Sequence, residues 1–191
     1  MTEQLLGRIV RLQVQREPLK EKGVGYDPGA ILSVTRASID ANGMVGWTGR
    51  GWVLDAHHSA HPRARGGGNR ALSIGFTGHY ALMADRFGEA PLGVAGENVI
   101  VEHDGRVYEK DLRGMVVLRG AGGDIETTDA RVAAPCREFT SFLLGLDAVP
   151  DRVELEDDLE FLERGTRGFI LDVGGLGPGA IEVGDEVLLK R

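Results

Sequence analysis

The chain holds one cysteine in 191 residues, Cys136, so it can form no internal disulfide and is not a disulfide-stapled secreted scaffold. Lysine is scarce as well, at positions 20, 22, 110 and 190, and none has a context suited to a Schiff base. Pyridoxal phosphate chemistry is therefore not expected. No stretch approaches the roughly 20 apolar residues needed to span a bilayer. The opening MTEQLLGRIVRLQVQ is broken by acids and arginines and lacks a signal-peptide apolar run, so the expectation is a cytoplasmic protein. Positive charge is in deficit. A net charge of −7 argues against nucleic acid or an anionic membrane as partner, since both demand a basic surface. Several motifs are missing too: no G-x-S-x-G, no HExxH, and a Gly120–Gly123 run without the lysine and helix of a phosphate loop.

Glycine is abundant. Its 29 copies, with 7 prolines spread among them, point to many tight turns between short strands. Leu5 to Val14 reads as a first strand, Ile31 to Ile39 as a second, and Asn42-Gly43 as the turn into a partner strand from Met44 to Trp47. Trp52 to Leu54, Ala71 to Gly75, Val99 to Val101, Val107-Tyr108, Met115 to Leu118, Ile125 to Val132 and Phe169 to Val173 follow as strands. Ile181 to Leu189 reads as a hairpin about Gly184-Asp185. Both tryptophans are expected in core or rim packing. Tyr80, Met83, Ala84 and Phe87 fall at helical spacing after Thr77, a candidate cap, and before Gly88. A second helix follows Pro135. Pro150-Asp151 with Glu154 three residues on signals a third, whose many acids describe a solvated face. At 42% hydrophobic and 27% charged residues, the expectation is one mostly β, barrel-like domain with about three helices, spanning residues 1–191.

The chemistry-bearing stretch is Ala130 to Leu144. Pro135 suits the first position of a helix, which places Cys136 in its first turn, where free N–H groups, the helix dipole and the Arg137 charge favour thiolate. Phe139, Phe142 and Leu143 give that helix an apolar face. The alternative is a small buried apolar residue, the commoner use of a lone cysteine. A second candidate is the loop Asp55 to Arg70. Its Arg63, Arg65 and Arg70 flank Gly66 to Gly68, whose free N–H groups can form an anion-binding nest, although a solubilising loop accounts for the same residues. His57, His58 and His61 lie in this loop, but Pro62 and the glycines disfavour the helix that would align them for zinc.

Three pieces in order carry a family resemblance: Gly96-Glu97-Asn98 before an apolar strand, Arg131 to Arg137 ending in Pro135-Cys136-Arg137, and Gly179-Ala180-Ile181 followed by Gly184 to Val187. From about Arg8 to Lys190 the chain resembles the MOSC domain, found at the C-terminus of molybdenum-cofactor sulfurases and as stand-alone bacterial proteins. The resemblance implies a MOSC-type β-barrel of the α+β class. It implies a role with molybdenum cofactor (molybdopterin) or activated sulfur, with Cys136 as molybdenum ligand or persulfide carrier. Glu97, Asn98 and Arg137 would lie near the cofactor, whose phosphate Arg63, Arg65, Arg70 and Arg137 would meet. The chain lacks the sulfurases' desulfurase domain and the iron–sulfur domain of some reductase relatives. The implied partners are accordingly a cysteine desulfurase or an external electron-transfer protein. Two other readings stay open: a molybdenum-dependent reductase of N-hydroxylated bases or amines, and a non-catalytic module for a phosphate-bearing ligand.

Overall fold

A computed structural model describes residues 2–64, 72–173 and 178–191. Fifteen strands and three α-helices follow one another along it: β1 (Glu3–Gln15), β2 (Lys20–Glu21), β3 (Gly25–Tyr26), β4 (Ile31–Val34), β5 (Arg36–Asp40), β6 (Gly43–Trp47), β7 (Trp52–Leu54), β8 (Leu72–Phe76), α1 (Thr77–Phe87), β9 (Val99–Val101), β10 (Met115–Gly120), β11 (Gly123–Glu126), β12 (Thr128–Val132), α2 (Arg137–Leu143), α3 (Glu156–Phe161), β13 (Phe169–Asp172), β14 (Gly179–Glu182) and β15 (Glu186–Lys190). The class is mostly β with a few helices, as expected.

The long first strand organises the rest. Its N-terminal half pairs with β15 and its C-terminal half with β4 and β9, all antiparallel. The main sheet runs β11-β10-β15-β1-β9-β8-β13-β12. Its two end strands are consecutive in the chain, separated only by Thr127, so the sheet must curl round on itself into a half-barrel. Thr127 closes the corner: its N–H and hydroxyl both donate to the Val116 carbonyl, at 2.9 and 2.8 Å. A second sheet, β14-β5-β6-β7, contributes Ala37, Ile39, Met44 and Ile181 to the same interior. Only β8 and β9 are parallel among the described pairs, and α1 lies on the crossover between them. Alternation then sorts β9 between two cores. Val99 and Val101 face the barrel interior, while Ile100 packs outward with Tyr80, Met83, Phe139 and Leu162 of the helical layer.

Several expectations from the sequence are corrected. The Ile31 to Ile39 run is two strands in different sheets, because the chain turns a corner at Thr35, whose carbonyl accepts the Val183 N–H. Ile125 to Val132 likewise breaks at Thr127. Ile181 to Leu189 is no hairpin: β14 pairs with β5, whereas β15 pairs with β1 and β10. Val107 and Tyr108 form no strand but lead into a short 3-10 turn at Glu109–Leu112. Thr77 does not cap α1; its hydroxyl donates to the His103 carbonyl and accepts the His103 N–H instead. The Asp151/Glu154 capping box forms, but on a 3-10 turn, Arg152–Leu155, that precedes α3. Trp52 is half exposed and packs its ring against Trp47, with the Arg36 guanidinium over both.

Candidate active site: a cationic cleft beside Cys136

Where β1 ends, the chain runs outward through Pro18 to Lys20 and returns through Tyr26. The Ala56-His57 turn, the Ala133–Cys136 connection and Arg167 approach the same place and enclose a cleft of about 250 Å³. Cys136 is half-buried on its wall. The residue is the N-cap of α2 and not part of its first turn: with extended φ and ψ of −125° and 153°, its carbonyl accepts from the Thr140 N–H and hydroxyl. Pro135 therefore precedes the cap, and Arg137 opens the helix. Burial raises the Glu138 carboxyl. The Gly23 N–H, its own N–H, the Cys136 thiol and Lys20 outweigh that and hold it below its ordinary value.

The arginine beside the sulfur is Arg167, which the sequence reading did not single out. It lines the cleft with its guanidinium 4.7 Å from the Phe139 ring centroid, and its buried Nε has no hydrogen-bond partner among the described residues. Burial opposes its charge, but the acidic groups around it (Tyr26, Glu97, Cys136 and Tyr80) outweigh burial and hold the guanidinium above its usual range. Sequence offered only a weak signal: an arginine two residues before a buried strand, next to a glycine. Arg63 also lines the cleft, with its Nη1 donating to Glu17 at 2.8 Å, and Lys20, His57, Gln15 and Ser73 add further polar groups to the wall. No carboxylate is among the described lining residues, in a protein whose net charge is −7.

The other residues named from sequence are placed as follows. Arg137 turns away from the cleft and donates to the Pro150 carbonyl at 3.0 Å and to Asp151 at 3.3 Å. Arg65 and Arg70 lie outside the described residues. Asn98 is buried and committed to the scaffold: its amide donates to Asp55 at 2.9 Å and to the Gln13 carbonyl, and its oxygen accepts from the Ser73 N–H and hydroxyl. The histidines do not converge. His57 contacts Asp55, His58 accepts the Ala60 N–H, and His61 reaches the Arg16 carbonyl. Among the described residues no group of three His, Cys, Asp or Glu side chains is set to hold a metal ion.

Glu97 lies beneath the cleft, 1% exposed, with Oε2 accepting the Tyr80 hydroxyl at 2.5 Å and Oε1 unpartnered. Burial raises its carboxyl, and Arg167 and the Tyr80 hydroxyl only partly offset that. Two glycines make its room. A Cβ on Gly75 would stand 2.7 Å from Oε1, and one on Gly168 would stand 3.0 Å from Oε1 and 2.8 Å from the Ile74 carbonyl. Gly168 has φ of +96°, a backbone state that disfavours side chains. Gly168→Ala is expected to lower unfolding free energy by about 2–3 kcal/mol. Urea denaturation checks this, and a loss below about 0.5 kcal/mol would mean that the backbone at residue 168, the Ile74 carbonyl and Glu97 all adjust at little cost.

Fold and site together define a curled-barrel β domain that presents a thiol in a cationic cleft. No protein-family model matches the chain, and no curated protein sequence matches it. Solved structures do. The chain is similar to the YuaD protein from Bacillus subtilis, at 16% identity and TM-score 0.58 over 100% of this chain and 99% of that one. It is also similar to a hypothetical protein, at 16% identity and TM-score 0.54 over 96% of this chain and 69% of that one. YiiM from Geobacillus stearothermophilus matches at 17% identity and TM-score 0.48, over 100% of this chain and 76% of that one. With the first two, at such identity, the shared property is the fold. No helix among the described residues is long and apolar enough to cross a membrane.

Proposed function

We propose that the cleft binds an anionic, phosphate-bearing ligand against Cys136, and that this ligand is molybdenum cofactor, with Cys136 as its sulfur ligand or as carrier of sulfur destined for it. One observation carries the reading: Lys20, Arg63 and Arg167 line the cleft together with a thiol, and no carboxylate is among the described lining residues, although Glu17 pairs with Arg63 and Glu97 offsets Arg167 from outside the lining. The residues fit the group. Cys136 brings a soft sulfur donor to the cleft lining, and Arg167 brings a buried N–H that no acceptor among the described residues uses. Arg167, Lys20 and Arg63 would hold the phosphate and Cys136 the metal. The bound group would supply two-electron redox chemistry or accept sulfur at molybdenum. The protein's own part is to orient the thiol through the Thr140 bonds to the Cys136 carbonyl, and to shield it against Phe139 and Tyr26.

The test is metal and pterin content of protein purified from molybdate-fed cells. Wild type is expected to carry both near one equivalent per chain, and Cys136→Ser to lose at least about tenfold of the metal while keeping its circular dichroism spectrum. Equal, negligible content in both proteins overturns the ligand role. For the carrier role, incubation with a cysteine desulfurase and cysteine is expected to place a persulfide on wild type alone.

A further inference from the structure

We infer that the cleft takes sulfane sulfur directly from small anionic donors, thiosulfate being the simplest, and loads it onto Cys136 as a persulfide. This rests on the sulfur-bearing role proposed for Cys136 and adds the donor class. A sulfur carrier must be charged by something, and this chain has no lysine in a Schiff-base context to extract sulfur from cysteine. Thiosulfate is a dianion with charge on its sulfonate oxygens and on its terminal sulfur, and a thiolate takes that terminal sulfur when sulfite leaves. The cleft offers both partners: cations for the charge and a thiol for the sulfur. Arg167, Lys20 and Arg63 supply cationic donors, and Cys136 supplies the nucleophile on the same wall.

Arg167 lines the cleft and its buried Nε has no acceptor among the described residues, so the guanidinium keeps donor capacity that a small shift of the side chain turns to an oxyanion. Glu97, buried beside Gly75 and Gly168, lies beneath the cleft and contributes counter-charge to Arg167 without lining the pocket. About 250 Å³ accommodates a five-heavy-atom dianion with several waters, at about 30 Å³ each.

The step balances without an outside oxidant. The Cys136 thiol loses its proton to solvent, and the thiolate attacks the sulfane sulfur. The thiosulfate S–S bond breaks and sulfite leaves with the bonding pair, so Cys136 holds the cysteine persulfide anion. Arg167 and Lys20 stabilise charge on the sulfite oxygens as it departs. Cyanide then removes the outer sulfur as thiocyanate and regenerates the thiolate.

The experiment uses the full chain and thiosulfate labelled at its outer sulfur. Wild type is expected to bind close to one reducible label per chain and to form thiocyanate when cyanide is added; Cys136→Ser should do neither. Arg167→Met should raise the thiosulfate concentration for half-loading by roughly 10- to 100-fold. Arg167 is largely buried, so Lys20→Ala with Arg63→Ala, both at the surface, gives a second readout: a rise of about threefold or more that shrinks at high salt. Label on Cys136→Ser equal to wild type overturns the inference. A wild-type chain labelled through a cysteine desulfurase but not by thiosulfate overturns the inference and leaves the carrier role standing. One labelled by neither overturns both.

Discussion

Asp55→Ala is expected to destabilise the protein by about 3–5 kcal/mol. This carboxylate is fully buried, and both of its oxygens are in use. Oδ2 accepts the Gln15 N–H at 2.8 Å and the Asn98 amide at 2.9 Å; Oδ1 accepts the His57 N–H and contacts the His57 ring nitrogen, both at 2.9 Å. One side chain thus ties the end of β1 and the residue before β9 to the turn that forms the cleft's His57 wall. Removing it leaves the Gln15 N–H without its acceptor in a dry place and the Asn98 amide with only its longer bond to Gln13, each loss worth about 1–3 kcal/mol. Asp55→Asn should cost about half as much, because an amide keeps one accepting oxygen but turns its NH₂ toward a donor. Guanidinium denaturation measures both, and a cost below about 1 kcal/mol for the alanine variant would show that water replaces the carboxylate. Through His57, ligand affinity in the cleft should fall in the same order as stability.

Acidification from pH 7 to pH 4 is expected to remove about 3 kcal/mol of stability through His79 alone. The ring is fully buried among Phe76, Phe169 and His103, its Nε2 accepts the Val107 N–H at 3.0 Å, and its Nδ1 has no partner among the described residues. Burial lowers it to about 4 from an ordinary 6.5, and the bond to Val107 only partly offsets that. Above pH 6.5 the ring is neutral in both folded and unfolded chains and costs nothing. Below 6.5 the unfolded chain takes up a proton that the folded one refuses, so stability falls until the folded ring also protonates near 4. Glu97 works in the opposite direction. Its raised carboxyl binds a proton in the folded state before the unfolded one does, so acidification through that range adds stability. The comparison is therefore between wild type and His79→Gln, whose amide oxygen can still accept the Val107 N–H. The difference between their stability curves should shrink by about 3 kcal/mol from pH 7 to pH 4, and parallel curves would refute the neutral buried ring.

Much of the local structure was legible in the sequence, and the reason is local physics. The 3.6-residue spacing of Tyr80, Met83 and Phe87 and the stop at Gly88 defined α1 from neighbouring residues alone, and Asp151 with Glu154 marked a capping box wherever it was to be used. Cys136 stood out as the one sulfur nucleophile, and the structure puts it on a cleft wall. Arg137, adjacent in sequence, looked like its companion, yet the turn into α2 sends that guanidinium to Pro150 and Asp151. The companion proved to be Arg167, 31 positions away, delivered by the chain entering β13. The Glu97–Tyr80 contact was equally hidden, since it depends on two distant glycines, Gly75 in β8 and Gly168 just before β13, lying against one carboxylate.

By itself the sequence determined the class of the fold, the periodic faces of its strands and helices, the turns that glycine permits, and the presence of a single thiol. These follow from patterns a few residues long, in which each side chain answers to its neighbours. Tertiary structure alone decided that Ile31 to Ile39 serves two sheets, that β14 and β15 part company, and that Arg167 rather than Arg137 stands beside Cys136. Those outcomes depend on which strand edges meet when the sheet curls, and hydrogen-bond pairing between distant segments leaves no mark on the spacing of residues along the chain.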